Sequence, residues 1–243
     1  FILLAVVPFG KDSFLADLNV GVLFFIAVTT VGTMAVFLAG WGSGNRFALI
    51  GAVRAVAQLV SYEVPMLLSL VGVLLLTGSM SLISIVEAQR LPFILLQPMG
   101  FFVFLMAASA EMNWTPFDLL EAESELTAGF HTEYSGMKFG MFFLTDFMET
   151  IMVACLATTL FFGGWQVPWL EADAVANWVY VLLGVMSFSI KVVIFCWVFM
   201  QLRWTLPRFR YDQLMRLGWK GLFPIAVANV VVTAVVLYVI DRI

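Results

Sequence analysis

The sequence is divided by long stretches that contain no charged side chain. Five of these stretches are at least 20 residues long, and a sixth contains one charge, Lys191. A helix needs about 20 mostly apolar residues to cross the hydrocarbon core of a bilayer. Each stretch therefore predicts a transmembrane helix, and the fold class is an all-α, polytopic integral membrane protein with six complete spans. The stretches are 18–45, 64–86, 91–110, 150–170, 174–202 and 221–240.

The composition excludes a water-soluble enzyme. Of the 243 residues, 63% are hydrophobic and only 12% are charged, whereas a soluble domain carries about a quarter charged residues. The apolar stretch 1–9 is too short to span a membrane and lacks the basic flank of a signal peptide. We expect it to be the end of a helix whose start is missing, which adds a partial N-terminal helix. We interpret 1–243 as one transmembrane domain.

The cysteine and histidine content limits the redox chemistry that this chain can hold. Cys155 and Cys196 belong to different predicted helices, and His131 is the only histidine. An iron–sulfur cluster and a structural zinc ion each need four ligands, and a bis-histidine haem needs two histidines. We therefore expect no metal or cofactor bound by this chain alone, and any redox centre on another chain. The lone His131 is interpreted as a scaffold residue.

Basic residues are distributed unequally between the two ends of the predicted helices. One side has three of them and the other has eight. Cytoplasmic loops carry an excess of Lys and Arg, so the side with eight is predicted to be cytoplasmic. Its loops are expected to carry the function, and they are 42–54, 111–138 and 203–220.

The predicted loop 111–138 is strongly acidic. No Lys or Arg occurs between Arg90 and Lys138. Mutual repulsion and burial both disfavour ionisation, so this loop is suited to proton exchange near neutral pH. A solvated acidic loop is the alternative. The carboxylates are Glu111, Asp118, Glu121, Glu123, Glu125 and Glu133.

Local signals within this loop predict a short helix. Thr115 and Pro116, followed by Asp118, are typical of a helix start, and Gly129 is typical of a helix end. Glu121 and Glu125 would then share one face at i, i+4.

The predicted loop 203–220 is the basic complement of the acidic loop. It contains five basic residues and one acid, with Arg208, Arg210 and Asp212 alternating with aromatic residues. It either contacts anionic lipid headgroups, or its arginines pair with the acidic loop or hold a polar partner.

Four ionisable residues fall inside predicted helices: Glu63, Asp146, Glu149 and Lys191. Such a residue costs about 2.5–3.5 kcal/mol on insertion scales and usually marks a functional pathway. Glu63 precedes Pro65, which tends to kink a helix, while Asp146 and Glu149 lie one turn apart. The alternative for the glutamates is a position at the membrane boundary. Lys191 is expected to need an acidic partner or a hydrated cavity.

Three segments resemble the H subunit of the bacterial proton-pumping NADH:quinone oxidoreductase, respiratory complex I. They are 41–65 (GWGSGNRFALIGAVRAVAQLVSYEVP), 110–147 (AEMNWTPFDLLEAESELTAGFHTEYSGMKFGMFFLTDF) and 206–220 (LPRFRYDQLMRLGWK). The resemblance follows nearly the whole chain in the same order. The family has eight helices, so the chain looks to lack the first helix, the first loop and most of the second helix.

The resemblance implies a defined role. A member of this family joins the hydrophilic arm of the enzyme to its membrane arm, forms part of the quinone chamber, and starts a path of buried acids that couples quinone reduction to proton pumping. It implies a multi-pass protein of the bacterial inner membrane. The implied partners are the lipid bilayer, quinone as substrate, the peripheral quinone-module subunits and the small membrane-arm subunits, with no nucleic acid. NADH, FMN and iron–sulfur clusters would bind to partner subunits.

The resemblance also assigns residues. The implied proton-coupling residues are Glu63, Glu111, Asp146, Glu149 and Lys191. The implied quinone-chamber and loop residues are Arg54, Asp118, Glu121, Glu123, Glu125, Arg208, Arg210 and Asp212. Two positions depart from the family pattern: Trp114 stands where an arginine is common, and Asp146 where a glutamate is usual.

Three alternatives remain open on the sequence. The first is the related membrane subunit of an energy-converting nickel–iron hydrogenase, or of another complex-I-like oxidoreductase with a different electron donor. The second is a stand-alone ion transporter that uses Asp146, Glu149 and Lys191 as its relay. The third is a membrane anchor, in which substitutions of the buried acids would leave activity intact.

Overall fold

The computed structural model describes residues 2–11, 13–89, 91–118, 129–167 and 177–240. Within these ranges the regular structure is helical, apart from one isolated bridge between Gly10 and Ser13, so the predicted all-α class is confirmed. The helices are α1 (Gly21–Gly42), α2 (Arg46–Thr77), α3 (Leu82–Ala88), α4 (Phe93–Leu96), α5 (Pro98–Glu111), α6 (Met137–Phe161), α7 (Asn177–Thr205), α8 (Tyr211–Arg216) and α9 (Phe223–Ile240). A π-helical segment, Leu217–Leu222, joins α8 to α9.

Five helical segments are long and apolar enough to cross a membrane: α1, α2, α6, α7 and the continuous run from Tyr211 to Ile240. The sixth predicted span, 91–110, is broken between α4 and α5 at Gln97. Gln97 precedes Pro98, and a residue before proline is disfavoured in the α region. The N-terminal stretch forms only a short 3-10 helix, Ile2–Ala5.

Two of the predicted cytoplasmic loops are largely helical. In the range 42–54, α1 ends at Gly42 and α2 begins at Arg46, after Asn45, whose side chain accepts a hydrogen bond from the Phe47 amide at 2.9 Å. In the range 203–220, the connection between α7 and α8 is only 206–210. Charged residues indicate where a helix leaves the hydrocarbon core of the membrane, but they do not end the helix, because Arg and Lys are good helix formers. The helices therefore continue past the charges that were used to bound them.

The helix predicted to start at Thr115 does not begin there. Residues 115–118 form a turn, with a cis Thr115–Pro116 peptide bond, and the Phe117 amide donates to the Trp114 carbonyl at 2.8 Å. The rest of the predicted helix, 119–128, lies outside the described residues, and so do Glu121, Glu123 and Glu125. The chain is described again from a 3-10 helix, Gly129–His131.

Helix α2 is at the centre of the bundle and contacts α1, α5 and α9. Two buried polar side chains of α2 tie other segments to it. Gln58 donates to the carbonyls of Ala110 at 3.0 Å and Phe117 at 2.8 Å. The hydroxyl of Tyr62 donates to the Leu214 carbonyl at 2.8 Å. These bonds hold the end of α5, the turn that follows it, and α8 in fixed positions against α2.

Candidate functional site

A cavity of about 240 Å³ lies where α1, the end of α5, the turn after α5 and α6 meet. Four carboxylates line it: Glu111, Asp118, Asp146 and Glu149. Arg203, from the end of α7, is the one arginine or lysine among the described residues that line it. Acids that are far apart in the sequence therefore share one internal space.

The secondary structure explains how these acids converge. Glu111 is the last residue of α5, is only 7% exposed, and lines the cavity where α5 ends. Asp146 and Glu149 lie one turn apart on α6 and share a face. Glu149 is close enough to both Glu111 and Asp146 for their charges to interact. Among the described residues, no group donates a hydrogen bond to one of the two Glu111 carboxylate oxygens.

Glu63 lies beside this group of acids but does not line the cavity. It is half-buried on α2, and its charge interacts with that of Glu111. The hydroxyl of Thr30, on α1, donates a hydrogen bond to the Glu63 carboxylate. Glu63, Glu111, Glu149 and Asp146 therefore form a series in which each acid interacts with the next.

The acidic and basic segments are joined at the edge of the cavity. Arg208 donates to the Asp118 carboxylate at 2.5 Å, and the side chains are 40% and 12% exposed. The Phe209 amide also donates to the Pro116 carbonyl at 3.0 Å. The pairing of the two segments that the sequence suggested is present, through Arg208.

The other predicted residues of the basic segment lie near the start of α8, outside the cavity lining, and Arg54 of α2 packs against them. The guanidinium of Arg54 lies over the ring of Tyr211, 5.3 Å from its centroid. The Arg210 amide donates to the side chain of Gln213 at 3.3 Å. Asp212 is in the first turn of α8, where a negative charge is favoured by the helix dipole.

Lys191 is bound by backbone carbonyls in place of the expected acidic partner. Its ammonium group donates to the carbonyls of Phe162 at 3.0 Å, Gly164 at 2.9 Å and Gln166 at 2.8 Å. Phe162 caps α6, and Gly164 and Gln166 follow it outside the helix, so these carbonyls lie near the helix end that carries a partial negative charge. Lys191 lies outside the lining of the carboxylate cavity.

Sequence reasoning missed the role of Arg203 and left Trp114 only as a departure from the family pattern. The guanidinium of Arg203 lies over the Trp114 ring, 4.8 Å from its centroid, and Trp114 is 7% exposed. A basic group therefore enters the cavity from α7, although position 114 itself carries no charge. The position of Arg203 at the end of a long apolar stretch could have indicated a functional residue, but nothing in the sequence indicated that its partner is Trp114.

Two other kinds of cavity residue were also missed. His131 lines the cavity, and its ring contacts Phe130 and Phe139, with centroids 5.1 and 5.4 Å apart. Thr29 and Thr33 of α1 line it as well. The stretch 18–45 had been interpreted only by its lack of charge, so its hydroxyl groups gave no signal.

Long apolar helices around a cavity lined with carboxylates define a polytopic membrane protein with an ionisable interior. Comparison with known sequences identifies its family. A sequence model described as NADH dehydrogenase matches residues 1–234, and the chain belongs to this family. The resemblance to the H subunits is confirmed by individual relatives.

These relatives are bacterial proteins named as H subunits of NADH-quinone oxidoreductase. The protein of Dehalococcoides mccartyi strain 195 is 51% identical over 233 residues, which cover 96% of this chain and 63% of that protein. The protein of Geobacillus sp. WCH70 is 49% identical and is covered to 69% of its length, with 97% of this chain matched. The protein of Geobacter metallireducens is 47% identical, with 96% of this chain and 70% of that protein covered. The chain thus spans less than two thirds of the length of the Dehalococcoides relative.

Proposed function

We propose that this chain is a membrane subunit of a proton-translocating NADH:quinone oxidoreductase of the bacterial inner membrane. Its role is to form part of the quinone chamber and to carry the buried acids that couple quinone reduction to proton movement. The observation that carries the proposal is the convergence of Glu111, Asp118, Asp146 and Glu149 in one cavity with Arg203. The names of the relatives support the same assignment.

The chemistry of the cavity suits this role. Reduction of a quinone to a quinol takes up two electrons and two protons, and the electrons would come from NADH through FMN and iron–sulfur clusters on partner subunits. A change of charge near the cavity acts strongly on carboxylates in a low-dielectric environment. Their protonation responds to that change. The interacting acids Glu63, Glu111, Glu149 and Asp146 would pass this response along the series.

The two ends of the site would have different partners. Asp118, paired with Arg208, would face the quinone and the peripheral quinone-module subunits on the cytoplasmic side. Arg210 and Asp212, together with Arg54 of α2, would face the same partners. Glu121, Glu123 and Glu125 are assigned to the same side on the resemblance. The intramembrane acids would connect to the small membrane-arm subunits. Lys191 is assigned a structural role, because its three donors are used by backbone carbonyls.

The coupling role is tested by Glu111→Gln in the full-length subunit of the assembled enzyme. The substitution keeps the size of the side chain and removes its ability to release a proton. We expect fewer protons translocated per NADH oxidised in inverted membrane vesicles. The matched control is Glu87→Gln, at an exposed acid that lies outside the cavity lining. An unchanged proton ratio for Glu111→Gln would contradict the coupling role.

The quinone role is tested separately by Arg210→Ala. We expect slower quinone reduction, while electron transfer from NADH to ferricyanide at the flavin end continues at its normal rate. Equal loss of both activities would indicate failed assembly, and normal quinone reduction would remove Arg210 from the proposed chamber.

A further inference from the structure

Helix α1 carries three threonines within an otherwise apolar membrane span: Thr29, Thr30 and Thr33. Thr29 and Thr33 lie at i, i+4, so they share one face, and both line the carboxylate cavity. Thr30 is rotated away from that face, and its hydroxyl donates to the Glu63 carboxylate on α2. It is therefore the direct polar contact between α1 and the acid that lies beside the cavity.

The Thr30 hydroxyl has two acceptors for its single hydrogen. Besides the Glu63 carboxylate, the Ile26 carbonyl lies 3.0 Å from Thr30 Oγ1. A hydroxyl group donates one hydrogen bond and can also accept. When Glu63 is ionised, the hydrogen points to the carboxylate. When Glu63 is protonated, its own O–H can donate to Thr30 Oγ1, and the threonine hydrogen turns to the Ile26 carbonyl.

This arrangement keeps Glu63 hydrogen-bonded in both protonation states without any transfer of the threonine hydrogen. A polar group without a hydrogen-bond partner inside a membrane costs free energy. Because Thr30 can pair with both the ionised and the protonated form of Glu63, neither form has this cost. Glu63 in turn interacts with Glu111, which faces the cavity. The hydrogen bond from Thr30 therefore acts on the acid through which the series continues from Glu111 to α2.

We infer that Thr30 is a positioning residue for Glu63, which holds the carboxyl group against α1 in its ionised and its protonated form. The inference rests on the proposed function, because it concerns an acid that exchanges protons during turnover. Thr30 itself carries no proton from one group to another.

The test compares Thr30→Val and Thr30→Ser in the full-length subunit of the assembled enzyme. Valine keeps the shape of threonine and removes the hydroxyl, whereas serine keeps the hydroxyl. We expect Thr30→Val to lower the rate of proton translocation at a given rate of NADH oxidation, and Thr30→Ser to restore it. The expected loss is about tenfold, because about 1.4 kcal/mol less hydrogen bonding lowers the ratio of correctly held to displaced Glu63 carboxyl groups by that factor.

The control is Thr205→Val, because among the described residues the hydroxyl of Thr205 donates to the Gln201 carbonyl of its own helix alone, and Thr205 does not line the cavity. This variant should translocate protons normally. Equal loss in Thr30→Val and Thr30→Ser would overturn the inference, since a packing defect would then explain both. Glu63→Gln distinguishes a failure of the positioning role of Thr30 from a failure of the proposed role of Glu63. If it abolishes coupling while Thr30→Val is normal, only the inference is wrong. If it leaves coupling intact, the proposed role of Glu63 is wrong, and the inference fails with it.

Discussion

Replacement of Lys191 by methionine distinguishes a structural lysine from a proton-carrying one. The side chain of Lys191 comes from α7 and donates to three carbonyls after the end of α6, at 2.8 to 3.0 Å. An ammonium group has three donors, and all three are used. Methionine keeps a flexible apolar side chain of similar length, so the substitution mainly removes these three hydrogen bonds.

The expected cost follows from the number of bonds. Hydrogen bonds between helices in membranes contribute about 0.6 kcal/mol on average and up to about 1.7 kcal/mol. Three of them amount to about 2–5 kcal/mol of stability for the contact between α6 and α7. Lys191→Arg keeps a cation with several donors but changes their geometry, so we expect it to recover part of this loss.

The assay measures two quantities on the same preparation of the assembled enzyme. The first is the thermal midpoint of the detergent-solubilised complex, which should fall for Lys191→Met and partly recover for Lys191→Arg. The second is the number of protons translocated per NADH by the enzyme that remains assembled, which should be unchanged. A normal thermal midpoint with lost proton translocation would refute this reasoning and would return Lys191 to the proton path.

Two further predictions concern the contact of α1 with α2 and the edge of the cavity. A Cβ atom at Gly40 would lie 2.2 Å from the Cβ of Ala52, whereas one at Gly32 would meet nothing within 4 Å. We therefore expect Gly40→Ala to cost about 1–3 kcal/mol of stability and to lower the thermal midpoint of the complex, while Gly32→Ala leaves the midpoint unchanged. Equal midpoints for the two variants would contradict this packing of α1 against α2. Arg208→Gln removes the salt bridge to Asp118. Such a partly exposed pair contributes about 1 kcal/mol or less to stability, so we expect the enzyme to assemble normally and to show a raised KM for quinone. Loss of assembly would show that the pair is structural.

The spans were predictable because the cost of placing charge in a membrane acts on each residue separately. The stretch 18–45 could be identified as a helix from its composition alone, and α1 lies within it. The break at Gln97 was readable from Pro98, which disfavours helical backbone at the preceding residue, but the lack of charge in the stretch 91–110 decided the prediction of one span. The start of α2 and the end of α7 were misplaced because a helix does not stop where the hydrocarbon core ends. The stretch 64–86 was predicted as one span, but α2 ends at Thr77, before Gly78, and α3 is a separate helix.

The members of the site were partly predictable, but their arrangement was not. Glu111, Asp146 and Glu149 stand out because ionisable residues are rare in apolar helices. Their convergence depends on how α5 and α6 pack, which no local pattern contains. The partners of Lys191 are backbone carbonyls, and residue types do not reveal which carbonyls a chain leaves unpaired. Thr30 was missed because a hydroxyl group in an apolar helix usually bonds to its own backbone.

The central claim is tested most directly by purifying the full-length protein through a tag on this subunit in mild detergent. The co-purifying chains would be identified by mass spectrometry, and NADH-dependent quinone reduction would be measured on the same sample. We expect a flavin-containing NADH-oxidising subunit, further membrane subunits and quinone reductase activity. Recovery of a nickel–iron catalytic subunit, or of this chain folded and alone, would contradict the assignment to a quinone reductase.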